Sequence, residues 1–433
     1  MKGTADFIKC QFLDFNPVGI AHCHLTDAYP KEFSRGCPAC VDLPTVEALL
    51  DQGSKDNRER YRDEIRQALT MGCATLVLGA GISMPMGMPN WLGLISQMAG
   101  YAQQYADYTN TELKDNVDIR RLSTLLEQEL IAGNLILFNG VNVLESGQYI
   151  EQTIRRASGS KPVQGMLKEI LCTIIGQSLT LAQWTKEKWK KDHPSLEDPR
   201  AYPLLAAEHN SLCATAYLLN AKHGFRRAMT YNFDTLVQEY LIDLFQVSPE
   251  RIFTHPGKWS DYYFSRNISD PIDIFHVHGC LPRKTPSRKL SCAFPAESDQ
   301  VILTESNYYN TEQSEAYNWQ NSIQSYYLNR DSCIFVGFSA DDYNFRRILR
   351  QMETEKHPRH YLILTIDNIA RETWFAVCHR HLFNSTSPEQ IRQEVLRLLK
   401  IQLDMKAEYW GRYNFYPIWV TVDDIPKFLL SLI

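Results

Sequence analysis

The sequence predicts an α/β fold: a Rossmann-like parallel sheet with helices on both faces, an inserted helical lobe and a small N-terminal extension. The first observation behind this fold class is a series of six short apolar runs, most of them followed by a helical pattern. The second is a glycine-rich turn, Gly79-Ala80-Gly81, directly after the first run. The six runs are residues 76–79, 226–231, 272–277, 333–338, 361–365 and 416–420.

Helical spacing is clearest just before the second run. Leu212, Ala216 and Leu219 recur at intervals of four and three residues, and Gly224 stands where the C′ residue of that helix belongs. Another helix is predicted to begin at Ser339, after the fourth run.

The segment between the first two runs is rich in charge and helical in pattern, so it predicts an all-α insertion at about residues 92–205. Residues 65–433 are then expected to form one α/β domain. Residues 1–60 are expected to form a separate extension.

Composition indicates a soluble globular protein, because 44% of its 433 residues are hydrophobic and 22% are charged. A formal net charge of −5 gives no general affinity for nucleic acid. Residues 71–106 carry no charged side chain, but glycines and prolines interrupt them, which excludes a membrane span. Eleven scattered cysteines and an N-terminus without a signal-peptide core favour a cytoplasmic location.

The turn after the first run is a candidate anion site. Gly79 and Gly81 lack the Cβ atoms that would hold the backbone away from a phosphate, and Ser83 is placed to cap a following helix. Together with Ala80 these residues are expected to bind a pyrophosphate. The simpler alternative is a tight βα turn with a helix cap.

Polar residues follow the second and third runs. Asn232 and Asp234 precede a helix predicted at residues 235–241, where the first serves as a turn residue and the second as an N-cap in the simplest interpretation. His278 lies near the rim of the sheet, where it can act as a base on a hydroxyl or water. His276, deeper on the same strand, fits a buried core histidine better.

Five short motifs follow one another along the chain, and in this order they resemble the SIR2 (sirtuin) superfamily, more closely its prokaryotic SIR2-like branch associated with anti-phage defence. The resemblance covers roughly residues 65–433. The motifs are Gly79-Ala80-Gly81-Ile82-Ser83 with Gly87-Met88-Pro89-Asn90-Trp91, Thr230-Tyr231-Asn232-Phe233-Asp234, Val277-His278-Gly279, Leu303-Thr304-Glu305 with Tyr308, and Gly337-Phe338-Ser339-Ala340-Asp341-Asp342.

The resemblance implies a binding site for NAD⁺. It places Asn232 beside the nicotinamide ribose and Gly337 and Ser339 on the adenosine side, with Asp234 as a further contact. With His278 as the second catalytic residue, this set suits cleavage of the nicotinamide–ribose bond, since the nicotinamide leaves neutral and needs no strong general acid.

The chain departs from the protein-deacylating sirtuins in three places. Their two zinc-binding Cys-x-x-Cys pairs are reduced to Cys280 and Cys292, the Gln before the catalytic Asn is Tyr231, and the loop after the glycine turn reads Met-Pro-Asn-Trp. The resemblance therefore implies an NAD⁺ hydrolase of a defence system, acting as a homo-oligomer or with a partner protein. A catalytically idle NAD or ADP-ribose binding subunit and a protein deacylase remain alternatives.

A possible zinc module lies in the extension. Cys37-Pro38-Ala39-Cys40 is a common half-site for zinc, and His22, Cys23 or His24 can supply the rest, with Cys23 and His24 as the candidates. The alternative is a set of free thiols in a loop-rich segment. The sequence leaves both readings open.

Overall fold

The structure is a computed structural model. It describes residues 13–15, 21–23, 50–86, 88–89, 93–95, 97–98, 147–148, 151–152, 163–177, 202–255, 269–281, 293, 301–303, 318–338, 342–352, 357–380 and 387–433.

The centre of the fold is a seven-stranded, all-parallel sheet in the order β5-β6-β4-β3-β7-β8-β9. A separate antiparallel hairpin, β1-β2, precedes it in the chain. The strands are β1 Leu13–Phe15, β2 Ala21–Cys23, β3 Ala74–Leu78, β4 Arg227–Thr230, β5 Ile252–His255, β6 Ile272–His276, β7 Ser332–Val336, β8 His360–Thr365 and β9 Phe415–Val420.

The predicted α/β fold class is confirmed, and each of the six apolar runs overlaps a strand of the sheet. Two features were missed. The edge strand β5 has only four residues, and the hairpin lies in the extension for which no strand was predicted. Both are short and lack the flanking helical pattern that marks the other strands.

Helices surround the sheet and fill the described part of the segment between β3 and β4. They are α1 Gln52–Thr70, α2 Val163–Gln177, α3 Tyr202–His209, α4 Ser211–Asn220, α5 Leu236–Asp243, α6 Asn318–Arg330, α7 Tyr343–Met352, α8 Asp367–Arg380, α9 Pro388–Gly411 and α10 Ile425–Leu430. None of the helices in these described ranges is long and apolar enough to cross a membrane.

Two helix boundaries differ from the predicted ones. The helix before β4 ends at Asn220 with Ala221 as its C-cap, so Gly224 is not its C′ residue. Gly224 is required because a Cβ there would lie 1.8 Å from the carbonyl oxygen of Leu218. The helix predicted from Ser339 begins only at Tyr343.

Side chains alternate between the two faces of the central strands. Leu76 and Leu78 of β3 join a core cluster with α3, α4, α5 and α10, whereas Val77 joins a second cluster with α6, α7 and α9. β7 alternates in the same way. Helices therefore cover both faces, as expected for a parallel sheet of continuous apolar strands.

A buried carboxylate joins three strands at the amino-terminal edge of the sheet. Asp331, directly before β7, has a relative exposure of 0% and accepts hydrogen bonds from Thr75 Oγ1 at 2.7 Å and Arg227 Nη2 at 2.8 Å. The same guanidinium nitrogen donates to the carbonyl of Gly72. This cluster fixes β3, β4 and β7 side by side.

We expect Asp331→Ala to lower the free energy of unfolding by about 3–5 kcal/mol, because it leaves the mostly buried Arg227 charge without its partner. Asp404→Ala is the matched control, since its pair with Lys400 is exposed and such pairs contribute less than about 1 kcal/mol. Urea unfolding measures both values. Equal losses in the two variants would contradict the structural role of Asp331.

Candidate functional site

The four sequence motifs that follow β3, β4, β6 and β7 lie side by side at the carboxyl edge of the sheet. The chain leaves β3 toward β4 and leaves β7 toward β8, in opposite directions along the sheet. The crevice between the ends of β3 and β7 is therefore the switch point at which open α/β sheets bind ligands.

Two glycine turns are in direct backbone contact at this switch point. A Cβ on Gly79 would lie 2.5 Å from the Gly337 carbonyl oxygen, and a Cβ on Gly81 would lie 2.7 Å from Gly337 Cα. Gly337 has a φ of +63°, and its own Cβ would lie 2.5 Å from the backbone nitrogen of Ile82. All three positions need glycine because two segments of backbone approach each other this closely.

Backbone N–H groups of the turn after β3 donate hydrogen bonds to carbonyl groups of the protein itself. Gly79 N donates to Val336 O at 3.0 Å and Gly81 N donates to Gly337 O at 2.8 Å. Within the turn, Ile82 N donates to Gly79 O and Ser83 N donates to Ala80 O. Pyrophosphate binding by this turn stays a prediction, and it requires that some of these bonds exchange for bonds to the ligand.

The proposed helix cap at Ser83 is wrong. Two short 3₁₀ segments, Ala80–Ile82 and Met84–Met86, take the place of the expected helix. Ser83 is instead buried, and its Oγ lies 3.1 Å from Asn232 Nδ2 and 3.4 Å from Asp234 Oδ1. The hydroxyl accepts from the amide and donates to the carboxylate, so it joins the motifs after β3 and β4.

The side chain of Asn232 has a fixed orientation. Its Nδ2 also donates to the Gly79 carbonyl at 3.1 Å, and since a carbonyl only accepts, the nitrogen must face that way. Both amide hydrogens are thereby used. No donor among the described residues reaches Oδ1, which leaves a neutral acceptor, 9% exposed as a residue, to meet a hydroxyl or water.

Asp234 is a buried acid one residue before the N-cap of α5, Thr235. Its Oδ1 accepts from the Leu236 amide at 3.1 Å at the start of α5. Burial raises the pKa of this carboxyl from 3.8 to about 6, and the bonds from Leu236 and Ser83 only partly oppose that rise. The N-cap of α5 is Thr235, so the interpretation of Asp234 as the N-cap is wrong by one residue, and its place beside Ser83 keeps it in the candidate site.

His276 is a neutral core histidine. Its Nδ1 lies 3.0 Å from the Asn232 carbonyl oxygen and its Nε2 lies 2.8 Å from Gln238 Nε2. One neighbour accepts and the other donates, which satisfies a neutral ring with its hydrogen on Nδ1. Burial lowers its pKa to about 4, so the ring stays neutral near pH 7. His276 therefore holds the backbone of Asn232 from below and is not itself a candidate catalytic residue.

His278 has different neighbours. Its Nε2 lies 3.4 Å from Asp342 Oδ2, and its ring meets the Tyr231 ring edge-on with centroids 4.9 Å apart. Burial lowers the pKa of His278, while the Asp342 carboxylate and a hydrogen bond with the Tyr231 backbone act in the opposite direction. Asp342 belongs to the motif after β7, but its pairing with a histidine 64 positions earlier leaves no local signal in the sequence.

Several predicted site residues fall outside the described ranges: Ser339 on the adenosine side and the candidate zinc ligands Cys37, Cys40 and His24. Cys23 ends β2, opposite Leu13. In the ranges that the structure describes, no group of three or more His, Cys, Asp or Glu side chains forms a potential metal site.

Comparison with known proteins is in accord with this site. Residues 226–381 match the family model of the SIR2-like domain. The matched segment begins at β4 and ends just after α8, so it contains Asn232, Asp234, His278, Gly337 and Asp342. No curated protein matches the chain.

We expect Gly337→Ala to destabilise the protein by at least about 1 kcal/mol more than Gly72→Ala. Both glycines have positive φ, and a non-glycine residue in that region costs roughly 1–2 kcal/mol. A Cβ at Gly72 meets nothing within 4 Å, whereas at Gly337 it meets the backbone of the neighbouring turn. Urea unfolding of both variants isolates the contact, and equal losses would show that the turns separate without cost.

We expect Asp234→Asn to raise the free energy of unfolding more at pH 8 than at pH 5. The folded pKa of about 6 lies above the ordinary value of 3.8, so this group favours folding below pH 4 and loses that contribution as pH rises through 6. Above pH 6 the buried carboxylate costs roughly 3 kcal/mol, which the neutral amide avoids. Urea unfolding at both pH values measures the difference, and a pH-independent difference would contradict the raised pKa.

Proposed function

Because its SIR2-like domain places this chain in the SIR2 superfamily, we propose that it is an NAD⁺ hydrolase that releases nicotinamide and ADP-ribose. The domain supports an NAD-related activity in general. The carrying observation for hydrolysis is that Asn232 and His278, the two residues suited to the chemistry, end adjacent strands β4 and β6 at one edge of the sheet.

The chemistry follows from the residues at that edge. Loss of nicotinamide leaves positive charge at ribose C1′, and the neutral amide of Asn232 can orient a water and the ribose hydroxyls without repelling that charge. His278 can take the proton of a ribose hydroxyl or of the attacking water. No covalent enzyme intermediate is needed.

The arrangement also supports control of the activity. Asn232 is 9% exposed and His278 is 3% exposed, and the amide of Asn232 is held by Gly79 and Ser83. A substrate must open this arrangement, and a ligand or partner shifts such a balance only through a higher affinity for the open state. We therefore propose a gated NAD⁺ hydrolase, opened by oligomerisation or a partner protein in anti-phage defence.

A second candidate is a nucleotide-binding subunit without turnover. The observation that favours it is the internal use of the amides of Gly79, Gly81, Ile82 and Ser83, which leaves the turn tightly closed. In this alternative NAD⁺ or ADP-ribose binds at the switch point, while the glycosidic bond stays intact.

Chromatographic measurement of nicotinamide and ADP-ribose from purified protein and NAD⁺, over a range of protein concentrations, separates these functions. Release in equal amounts supports the hydrolase, and a rate per chain that rises with concentration supports gating by oligomerisation. Calorimetric binding of NAD⁺ with no release favours the binding subunit. Release that depends on an acyl-lysine peptide overturns both in favour of a deacylase.

We expect Asn232→Ala to lower nicotinamide release by about 10²-fold or more, because loss of a placed catalytic group costs at least that much. The variant also loses two hydrogen bonds, so it is less stable. Asn414→Ala is the matched control: it loses a bond to His357 and holds a φ of +58° at the opposite edge of the sheet. Retention of more than about a tenth of the rate in Asn232→Ala would contradict the proposed role.

A further inference from the structure

The contact between His278 and Asp342 joins the ends of two strands that are not neighbours. His278 follows β6, and Asp342 precedes α7 after β7, with β4 and β3 between those strands in the sheet. The Nε2 to Oδ2 distance is 3.4 Å, and the two side chains are only 4% and 12% exposed. A charge pair with so little water around it interacts more strongly than an exposed one.

Asp342 is itself held in place by its second oxygen. Its Oδ1 accepts from the Phe345 amide at 2.8 Å, which caps the first turn of α7. Phe345 is fully buried in the second core cluster, where it packs against Phe335 and Phe338. The carboxylate is therefore fixed by a helix end and by the core, and its other oxygen is directed at His278.

The neighbours of the two histidines at the end of β6 differ in kind. His276 has one acceptor and one donor, which suits a neutral ring. His278 has the Asp342 carboxylate and the Tyr231 backbone, both of which favour the protonated ring. The described residues bring two titratable side chains against this ring, the Asp342 carboxylate and the Tyr231 phenol, and burial keeps the phenol neutral by raising its pKa.

We propose that Asp342 is a positioning residue that orients the His278 ring and stabilises its protonated form when it acts as a base. The role rests on the proposed function. As a base, the ring takes a proton in place of its bond with the Tyr231 backbone: the O–H bond of a ribose hydroxyl or water breaks, an N–H bond forms, and the electron pair stays on oxygen. The imidazolium is then paired with the carboxylate.

The test uses Asp342→Asn in the full-length chain. The amide oxygen still accepts from the Phe345 amide, so the cap is kept while the charge facing His278 is removed. Asp51→Asn is the matched control, because Asp51 caps α1 through the Ser54 amide and its charge faces Lys400 instead of the site. Both variants should keep an unfolding midpoint close to that of the unchanged protein.

We expect Asp342→Asn to lower kcat/KM for nicotinamide release on the order of 10²-fold and Asp51→Asn to leave it unchanged. The acid limb of the pH profile should move to lower pH by roughly one unit or more, since an opposite charge at this distance raises the pKa of a histidine by that amount. A structural role alone would lower stability without moving the limb. An unchanged rate and limb in Asp342→Asn would overturn the proposal.

Nuclear magnetic resonance titration of the histidine rings, with His278 assigned from His278→Gln, separates this proposal from the proposed function. If the protein releases no nicotinamide, the hydrolase is overturned, but the pKa of His278 still reports on the pairing. A lower pKa of His278 in Asp342→Asn and an unchanged one in Asp51→Asn support it. The same pKa in both variants overturns it.

Discussion

The site depends on one close approach: the turn after β3 lies backbone against backbone on the turn after β7. Three glycines, Gly79, Gly81 and Gly337, leave room for it. Two backbone hydrogen bonds, from Gly79 N to Val336 O and from Gly81 N to Gly337 O, hold it. This contact closes the switch point and places Ser83 under Asn232. A glycine-rich turn in such a place suggests a phosphate cradle, but here the first need for glycine is the packing of protein on protein.

Much of the fold is readable from the sequence, for a physical reason. Central parallel strands are buried on both faces, so they appear as continuous apolar runs, and all six such runs are strands. β5 was not predicted because it is an edge strand of only four residues. The predicted start of α7 was wrong because the residue that caps the helix is Asp342, three positions after Ser339.

The site is less readable, because its side chains act through partners far apart in the chain. The motifs predicted Asn232 and His278 as site residues, and the strands that they follow, β4 and β6, are neighbours in the sheet. The actual roles of Ser83, which joins two motifs, and of Asp342, which faces His278, depend on tertiary distances that no local pattern encodes. Local rules predicted helix caps at Ser83 and Ser339, whereas Ser83 caps no α-helix and α7 is capped by Asp342.

A buried carboxylate lies at each of the two edges of the sheet, and the two have opposite surroundings. At the amino edge, Asp331 is neutralised by Arg227 and bonded to Thr75, which is the arrangement that stability favours. At the carboxyl edge, Asp234 faces no Lys or Arg among the described residues, and burial raises its pKa to about 6. An unpaired buried acid beside Asn232 and Ser83 costs stability near neutral pH. Costs of this kind concentrate where a protein binds or transforms a ligand, so the uneven treatment of the two aspartates points to the same edge as the motifs.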